Sequence, residues 1–176
     1  PGVGLALAGT TLVGQAIGAG DRDWARRLGN SVIAVTTGYM GAVGVLLALL
    51  GPWVMPLFVS ASDPQAAEVV TLGIVLLWIA AGYQLFDGLQ LGSGFALRGA
   101  GDVRVPAMIF FGLAWGVFVP LAHMLSFAPG EGWTDVLPQF GHGAVGGWVA
   151  LLVYVILLAA ALVLRWRSRN WQRIRI

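Results

Sequence analysis

Three polar side chains share one face of a long apolar stretch, and together they could hold a small cation. Tyr83, Asp87 and Gln90 are separated by four and three residues, so on an α-helix they and Gly94 fall within a sector of about 60°. The sector offers a phenol oxygen, a carboxylate and a carboxamide, which are hard oxygen ligands suited to Na⁺. A lone carboxyl could equally bind and release H⁺, so the choice between Na⁺ and H⁺ stays open.

The depth of Asp87 within the apolar stretch makes it the most informative of these residues. It lies eleven residues before Arg98, so about 16 Å of helix separate the two charges. A carboxylate at that depth in a bilayer costs about 3 kcal/mol on insertion scales, and it faces a protein interior or a wet cavity. A structural carboxyl that bonds a neighbouring helix is the simpler alternative. Because the cost requires compensation, we interpret Asp87 as part of an ion or substrate path.

Five apolar stretches are long enough to be membrane-spanning helices. We predict spans at about 1–19, 31–50, 67–97, 106–127 and 146–164, since a helix needs about 20 mostly apolar residues to cross the hydrocarbon layer. The chain is 58% hydrophobic and 10% charged, whereas soluble domains carry roughly 25% charge. The prediction is therefore an all-α membrane protein with five transmembrane helices.

The basic residues indicate how the chain crosses the bilayer. All ten are arginines, and they follow only the first, third and fifth stretches, at 22–27, 98–104 and 165–175. This alternation is typical of the positive-inside rule and predicts a cytoplasmic C-terminus. The segment 165–176 is then a basic cytoplasmic tail, which fits either a lipid headgroup anchor or a solvated tail. Arginines that flank spans are not a nucleic-acid signal.

Small residues and turn formers predict how the helices pack and connect. Glycines four residues apart allow two helix backbones to approach closely. Pro120 is expected to kink the fourth span and free a carbonyl. Residues 60–64 should form an outer turn in which Asp63 caps the third span. The glycine pairs are Gly14 and Gly18, Gly88 and Gly92, and Gly112 and Gly116.

Two runs of sequence resemble multidrug and toxic compound extrusion (MATE) transporters. The run Val13–Asp21, followed by Ala25–Arg27, is similar to the end of an even-numbered helix in that family. The run Tyr83–Gln90, followed by Ala96–Asp102 and Pro106, resembles the tenth helix and the next loop of the NorM-type branch. On this resemblance the five spans correspond to helices eight to twelve of a twelve-helix fold.

The resemblance implies a function as well as a fold. The family has two six-helix lobes and exports small organic cations by alternating access, coupled to inward Na⁺ or H⁺ rather than to a cofactor. Its cation site falls on Asp87 and Tyr83 here, and Gln90 would shape that site. The turn after this helix would have a structural role on the inner side; it contains Arg98, Gly99, Gly101 and Asp102.

The resemblance also implies partners outside this sequence. The chain begins at Pro1 rather than at Met, and we expect it to be part of a longer protein of the bacterial inner membrane. Its partners would be the lipid bilayer and the N-terminal lobe of the same transporter. The acid that the family carries on its seventh helix would lie in that missing part, so this segment alone should not transport.

Three other functions are weighed against an exporter. A lipid-linked oligosaccharide flippase would need arginines along its cavity, whereas every arginine here lies near a span end. An intramembrane enzyme would need a nucleophile and base, or a metal-ligand set, at depth; the chain has no cysteine, and His123 and His142 lie towards the outer side. A channel or structural subunit stays open, since Asp87 could line a pore.

Overall fold

The computed structural model describes residues 1–59 and 64–173, with the backbone alone at Arg173. Within these ranges the chain is helical and contains no strand. The predicted outer turn with Asp63 lies outside the described residues. The six α-helices are α1 (Gly2–Gly18), α2 (Arg22–Val54), α3 (Ala66–Gly99), α4 (Arg104–Leu113), α5 (Val119–Ser126) and α6 (Gly143–Arg167).

Four helical segments are long and apolar enough to cross a membrane. They are Arg22–Leu57, Ala66–Gly99, Arg104–Ser126 and Gly143–Arg167. The first apolar stretch forms α1, which has 17 residues and is shorter than the other four. The all-α membrane fold is thus confirmed, and it brings residues 19–30, 98–104 and 164–173 together at one end, which we call the arginine-rich end.

The second helix begins earlier than its apolar stretch. We expected a charged link before a span at 31–50, but α2 starts at Arg22 and includes that link. The carboxylate of Asp21 accepts a hydrogen bond of 2.8 Å from the backbone N–H of Trp24, which satisfies one of the free donors of the first turn. The helix therefore begins in the polar residues before its apolar part, where Asp21 caps its first turn.

Helices α2 and α3 pack closely because α3 presents glycines to the backbone of α2. A Cβ atom added at Gly88 would lie 2.9 Å from the Cα of Thr37, and one at Gly92 would lie 2.8 Å from the Cα of Ile33. This pair therefore has the packing role that its spacing predicts. Gly112 and Gly116 do not, since a Cβ there would meet nothing within 4 Å.

The fourth span contains a π turn where a proline kink was expected. Residues Ala114–Phe118 form one wide turn between α4 and α5, and the N–H of Val119 donates to the carbonyl of Ala114. Pro120 follows directly and cannot donate a backbone hydrogen bond. A π turn beside a proline is one of the ways in which a helix accommodates such a missing bond.

The end of the chain folds back against the arginine-rich end. After α6 the backbone turns at Arg169, whose φ is 57°. Trp171 then stacks on Trp166 at 4.5 Å between ring centroids, and its ring N–H donates to the Trp166 carbonyl at 2.9 Å. Trp171 is only 1% exposed, so its ring packs in the core and not in solvent or among lipid headgroups.

An ion pair ties the turn between α3 and α4 to the end of α6. The Arg165 guanidinium donates to the Asp102 carboxylate at 2.7 Å, and Asp102 is only 2% exposed. Gly101 adopts a φ of 80°, a left-handed conformation that glycine enters without steric cost. The turn can therefore reverse sharply and point its acid at α6.

We expect Asp102→Ala to lower the free energy of unfolding by about 2–3 kcal/mol, because it leaves the Arg165 guanidinium without its counter-ion. Arg165 keeps some solvent contact, which holds the loss below that of a fully buried pair. Thermal unfolding of the purified protein in detergent measures the change. Asp135→Ala, which removes an exposed acid from the loop before α6, is the control; equal melting temperatures for the two variants would contradict the prediction.

A buried histidine holds the loop at the opposite end of the bundle. His123 is 2% exposed, its Nε2 lies 2.9 Å from the Thr134 carbonyl oxygen, and the Trp133 ring packs edge-on against it. We expected an interfacial histidine at this position. Instead the loop between α5 and α6 folds over the ring, so His123 is part of the core that anchors this loop.

Candidate cation site

The polar sector of α3 faces α6 rather than lipid. Tyr83 and Gly94 mark its two ends, and both contact α6: the Tyr83 ring meets Trp148, and a Cβ added at Gly94 would lie 3.7 Å from Leu162. Asp87 lies between them on the same sector and is half-buried. The opposite side of α3, which carries Gly88, packs on α2. The acid therefore lies on the face of α3 whose two ends pack against α6.

Asp87 and Gln90 are joined by a hydrogen bond. The side-chain amide of Gln90 donates to a carboxylate oxygen of Asp87 at 2.9 Å. The spacing of three residues places both side chains on one face of the helix. The amide therefore replaces part of the hydration that the carboxylate loses on burial, and it holds that carboxylate in one orientation.

Tyr83 is held by an aromatic contact from α6. Its ring and that of Trp148 meet edge to face, at 6.3 Å between centroids and 84° between planes. This arrangement is favourable for two aromatic rings. It fixes the phenol one turn before Asp87, so the hydroxyl and the carboxylate lie close together on the sector.

Gln90 also lines a cleft that separates α3 from α4. The cleft has a volume of about 510 Å³ and is bounded on its third side by Leu162 of α6. Its walls are apolar except for Gln90 and, at the arginine-rich end, Arg98. The cation sector thus borders a space that a small organic molecule could enter.

The structure separates the predicted site residues into two groups. Tyr83, Asp87 and Gln90 come together in the middle of α3. Arg98, Gly99, Gly101 and Asp102 lie at least eleven residues from Asp87, at or beyond the end of α3, and form the turn already described. Arg98 covers the Phe95 ring at 5.0 Å, so this second group orders the turn and does not contact the acid.

Two aromatic residues near the site were missed in the sequence. Trp148 supports Tyr83 from α6. Tyr154, also on α6, packs on Phe118, and its buried hydroxyl has no hydrogen-bond partner among the described residues. The sequence could have indicated Tyr154, because its hydroxyl is a polar group in the middle of an apolar span. Nothing in the sequence indicated the role of Trp148, since tryptophans also occur at membrane interfaces.

The small number of acidic side chains at the site limits the kind of ion that it could hold. Within residues 1–59 and 64–173, no three His, Cys, Asp or Glu side chains come close enough to hold a metal ion together. Asp87 is the one acidic residue on the sector that also carries Tyr83, Gln90 and Gly94. One carboxylate with neutral oxygen donors suits a monovalent cation or a proton better than a divalent metal.

Comparison with known proteins agrees with the resemblance found in the sequence. The MatE family model matches residues 1–124. The chain is 33% identical over 165 residues to a probable multidrug resistance protein NorM of Brucella suis biovar 1 (strain 1330), covering 94% of this chain. It is 34% identical over 164 residues to the multidrug resistance protein NorM of Burkholderia vietnamiensis, covering 93% of this chain.

The match covers only part of each relative. The aligned residues make up 33% of the Brucella suis protein and 32% of the Burkholderia vietnamiensis protein. A similar protein from Mesorhizobium japonicum (strain LMG 29417 / CECT 9101 / MAFF 303099) is 32% identical over 169 residues, which are 96% of this chain and 34% of the relative. The chain thus spans about a third of these relatives' length. The family match covers residues 1–124, most of the chain, and the chain is a multi-pass membrane protein of the MatE family, whose members are transporters and not enzymes.

Proposed function

We propose that this chain carries the coupling-cation site of a multidrug efflux antiporter, as the C-terminal lobe of the transporter. The observation that supports this most strongly is Asp87, a half-buried carboxylate in the middle of a membrane-spanning helix that accepts a hydrogen bond from Gln90. Such a residue is costly in lipid, and function explains why the cost is tolerated.

The proposed mechanism uses the binding of one ion to shift the transporter between two states. Asp87 binds Na⁺ or H⁺, and Tyr83 and Gln90 provide oxygens and fix the position of the carboxylate. A small organic cation enters from the neighbouring cleft and binds better in the state that the coupling ion disfavours. A ligand can move such an equilibrium only by its difference in affinity for the two states. The exported compound and the coupling ion thus exclude each other.

Location and partners follow from the same proposal. The protein lies in the bacterial inner membrane, and the arginine-rich end faces the cytoplasm, as the positive-inside rule predicts. An N-terminal lobe completes the transport path. In that arrangement the cleft beside Gln90 opens to the path that the two lobes share.

Transport in proteoliposomes tests the function itself. The complete transporter is reconstituted with ethidium as the organic cation, and an inward gradient of Na⁺ or of H⁺ is imposed in separate experiments. We expect one of the two gradients to accelerate ethidium export, because a single carboxylate site can load either ion. Export that ignores both gradients would overturn the proposal and would favour a channel or a structural subunit.

Replacing Gln90 should weaken the response to the coupling ion. We expect Gln90→Leu to raise the ion concentration for half-maximal export about tenfold, since a hydrogen bond to a charged group contributes about 1.5 kcal/mol or more. The control is Gln84→Leu, the same change on the face of α3 that packs against Gly44 of α2. Equal ion dependence in both variants would remove Gln90 from the site.

A further inference from the structure

A second groove in the molecule combines a positively charged end with an apolar floor. It has a volume of about 720 Å³ and lies between α2, α3 and α6. On α2 it follows one face from Arg26 to Gly38, a length of about 18 Å. It therefore extends from the arginine-rich end towards the middle of the membrane-spanning region.

Three arginines surround the wide end of this groove. They are Arg26 of α2, Arg167 at the end of α6, and Arg169 in the turn that follows. All three side chains are exposed, and none forms an ion pair in the part of the chain that the structure describes. No Asp or Glu of the described residues lines the groove itself. Asp23 lines a neighbouring surface depression together with Arg26, so positive charge dominates the opening.

The deeper part of the groove is apolar. Ile33 from α2, Leu89 from α3 and Val163 from α6 form its walls. Ala34 and Gly38 are small and exposed residues of the same face, and they leave the groove open. Further in, the Thr37 hydroxyl is buried and has no hydrogen-bond partner in the described ranges of the chain. Apart from this hydroxyl, the walls of this part of the groove are apolar, and a hydrocarbon chain can lie along them.

The rim between these two parts is held in place by hydrogen bonding and stacking. The ring N–H of Trp166 donates to the side-chain oxygen of Asn30 at 2.9 Å, and Trp171 covers the other face of the same ring. Trp166 is 3% exposed. The spacing between α2 and α6, and with it that between Arg26 and Arg167, is therefore fixed before any ligand arrives.

We propose that this groove binds one anionic phospholipid, with its phosphate between Arg26, Arg167 and Arg169 and an acyl chain along α2. Charge complementarity selects the occupant, because an anionic headgroup can bind three guanidinium groups that form no ion pair among the described residues and that flank the apolar spans. The apolar floor distinguishes a lipid from free phosphate. This site is independent of the proposed cation site, since it lies on the α2 side of α3 and not on the Asp87 sector.

Native mass spectrometry of the complete transporter in detergent tests the proposal, with phosphatidylglycerol and phosphatidylcholine as separate probes. We expect bound phosphatidylglycerol on the wild type and at least tenfold weaker binding of phosphatidylcholine. The variant Arg26→Gln/Arg167→Gln/Arg169→Gln should lose phosphatidylglycerol by roughly a hundredfold, as each basic residue near a membrane surface changes affinity about fivefold. The control Arg22→Gln/Arg27→Gln/Arg104→Gln removes the same charge outside the groove and should bind as the wild type.

Two further experiments distinguish a bound lipid from other occupants of the groove. Ala34→Trp fills the apolar floor without changing the charge and should also abolish lipid retention, whereas Leu46→Trp, at an exposed position of α2 outside the groove, should not. Inorganic phosphate should fail to displace the lipid. Displacement by phosphate alone, equal binding of both lipids, or equal loss in the groove and control variants would each overturn the proposal. Equal binding of phosphatidylglycerol and phosphatidylcholine is also the result expected if another part of the transporter covers the groove.

Discussion

Asp87→Asn should abolish cation-coupled export while leaving the protein folded in the membrane. The amide has nearly the same shape as the carboxylate but carries no charge. At an effective dielectric constant of about 20, a unit charge 4 Å from a cation contributes on the order of 4 kcal/mol. That energy corresponds to roughly a thousandfold in ion affinity. Export of ethidium in proteoliposomes should therefore fall to the level of liposomes without transporter.

Folding is expected to survive this change because the substitution removes a cost. A neutral side chain is easier to place in a membrane than a carboxylate, so the melting temperature should stay the same or rise. Glu68→Gln is the matched control, since it removes an exposed acid from the first turn of the same helix and should export as the wild type. Wild-type coupling by Asp87→Asn would remove the cation site from this helix.

Gly88→Ala/Gly92→Ala should destabilise the protein although alanine is the better helix former. The two new Cβ atoms would lie 2.9 Å and 2.8 Å from Cα atoms of α2, distances at which only a shift of the backbone relieves the overlap. Overpacking of this kind typically costs about 1–3 kcal/mol, and it acts on the two helices that share the most extensive contact among the described residues. We expect a clear fall in melting temperature and in the amount of folded protein recovered from membranes.

The control for this pair is expected to change stability in the opposite direction or not at all. Gly112→Ala/Gly116→Ala makes the same changes at the same spacing, but a Cβ there meets nothing within 4 Å in the described residues. The gain in helix propensity, up to about 1 kcal/mol per residue, should then leave this variant unchanged or more stable. Destabilisation of both variants to the same extent would contradict the packing explanation, because helix propensity favours alanine at all four positions and a Cβ overlap is present at only one pair.

These glycine pairs also show the limits of what sequence spacing can predict. Three pairs have the same interval, yet only Gly88 and Gly92 both approach a neighbouring backbone. The interval fixes which residues share a face of one helix, but the second helix that this face meets depends on the fold. The same holds for Pro120: its lack of an N–H is certain from its chemistry, whereas the π turn before it is seen only in the structure.

The sequence by itself determined that the apolar stretches are helical, that the membrane is their environment, and that one sector carries Tyr83, Asp87 and Gln90. These features follow from hydrophobicity, charge and helical periodicity, which are local properties. Only the tertiary structure decided that this sector faces α6, that Trp148 supports Tyr83, and that Asp102 pairs with Arg165 across 63 positions of sequence. Such contacts join side chains from distant helices, and the energy that selects them arises only when the helices pack together.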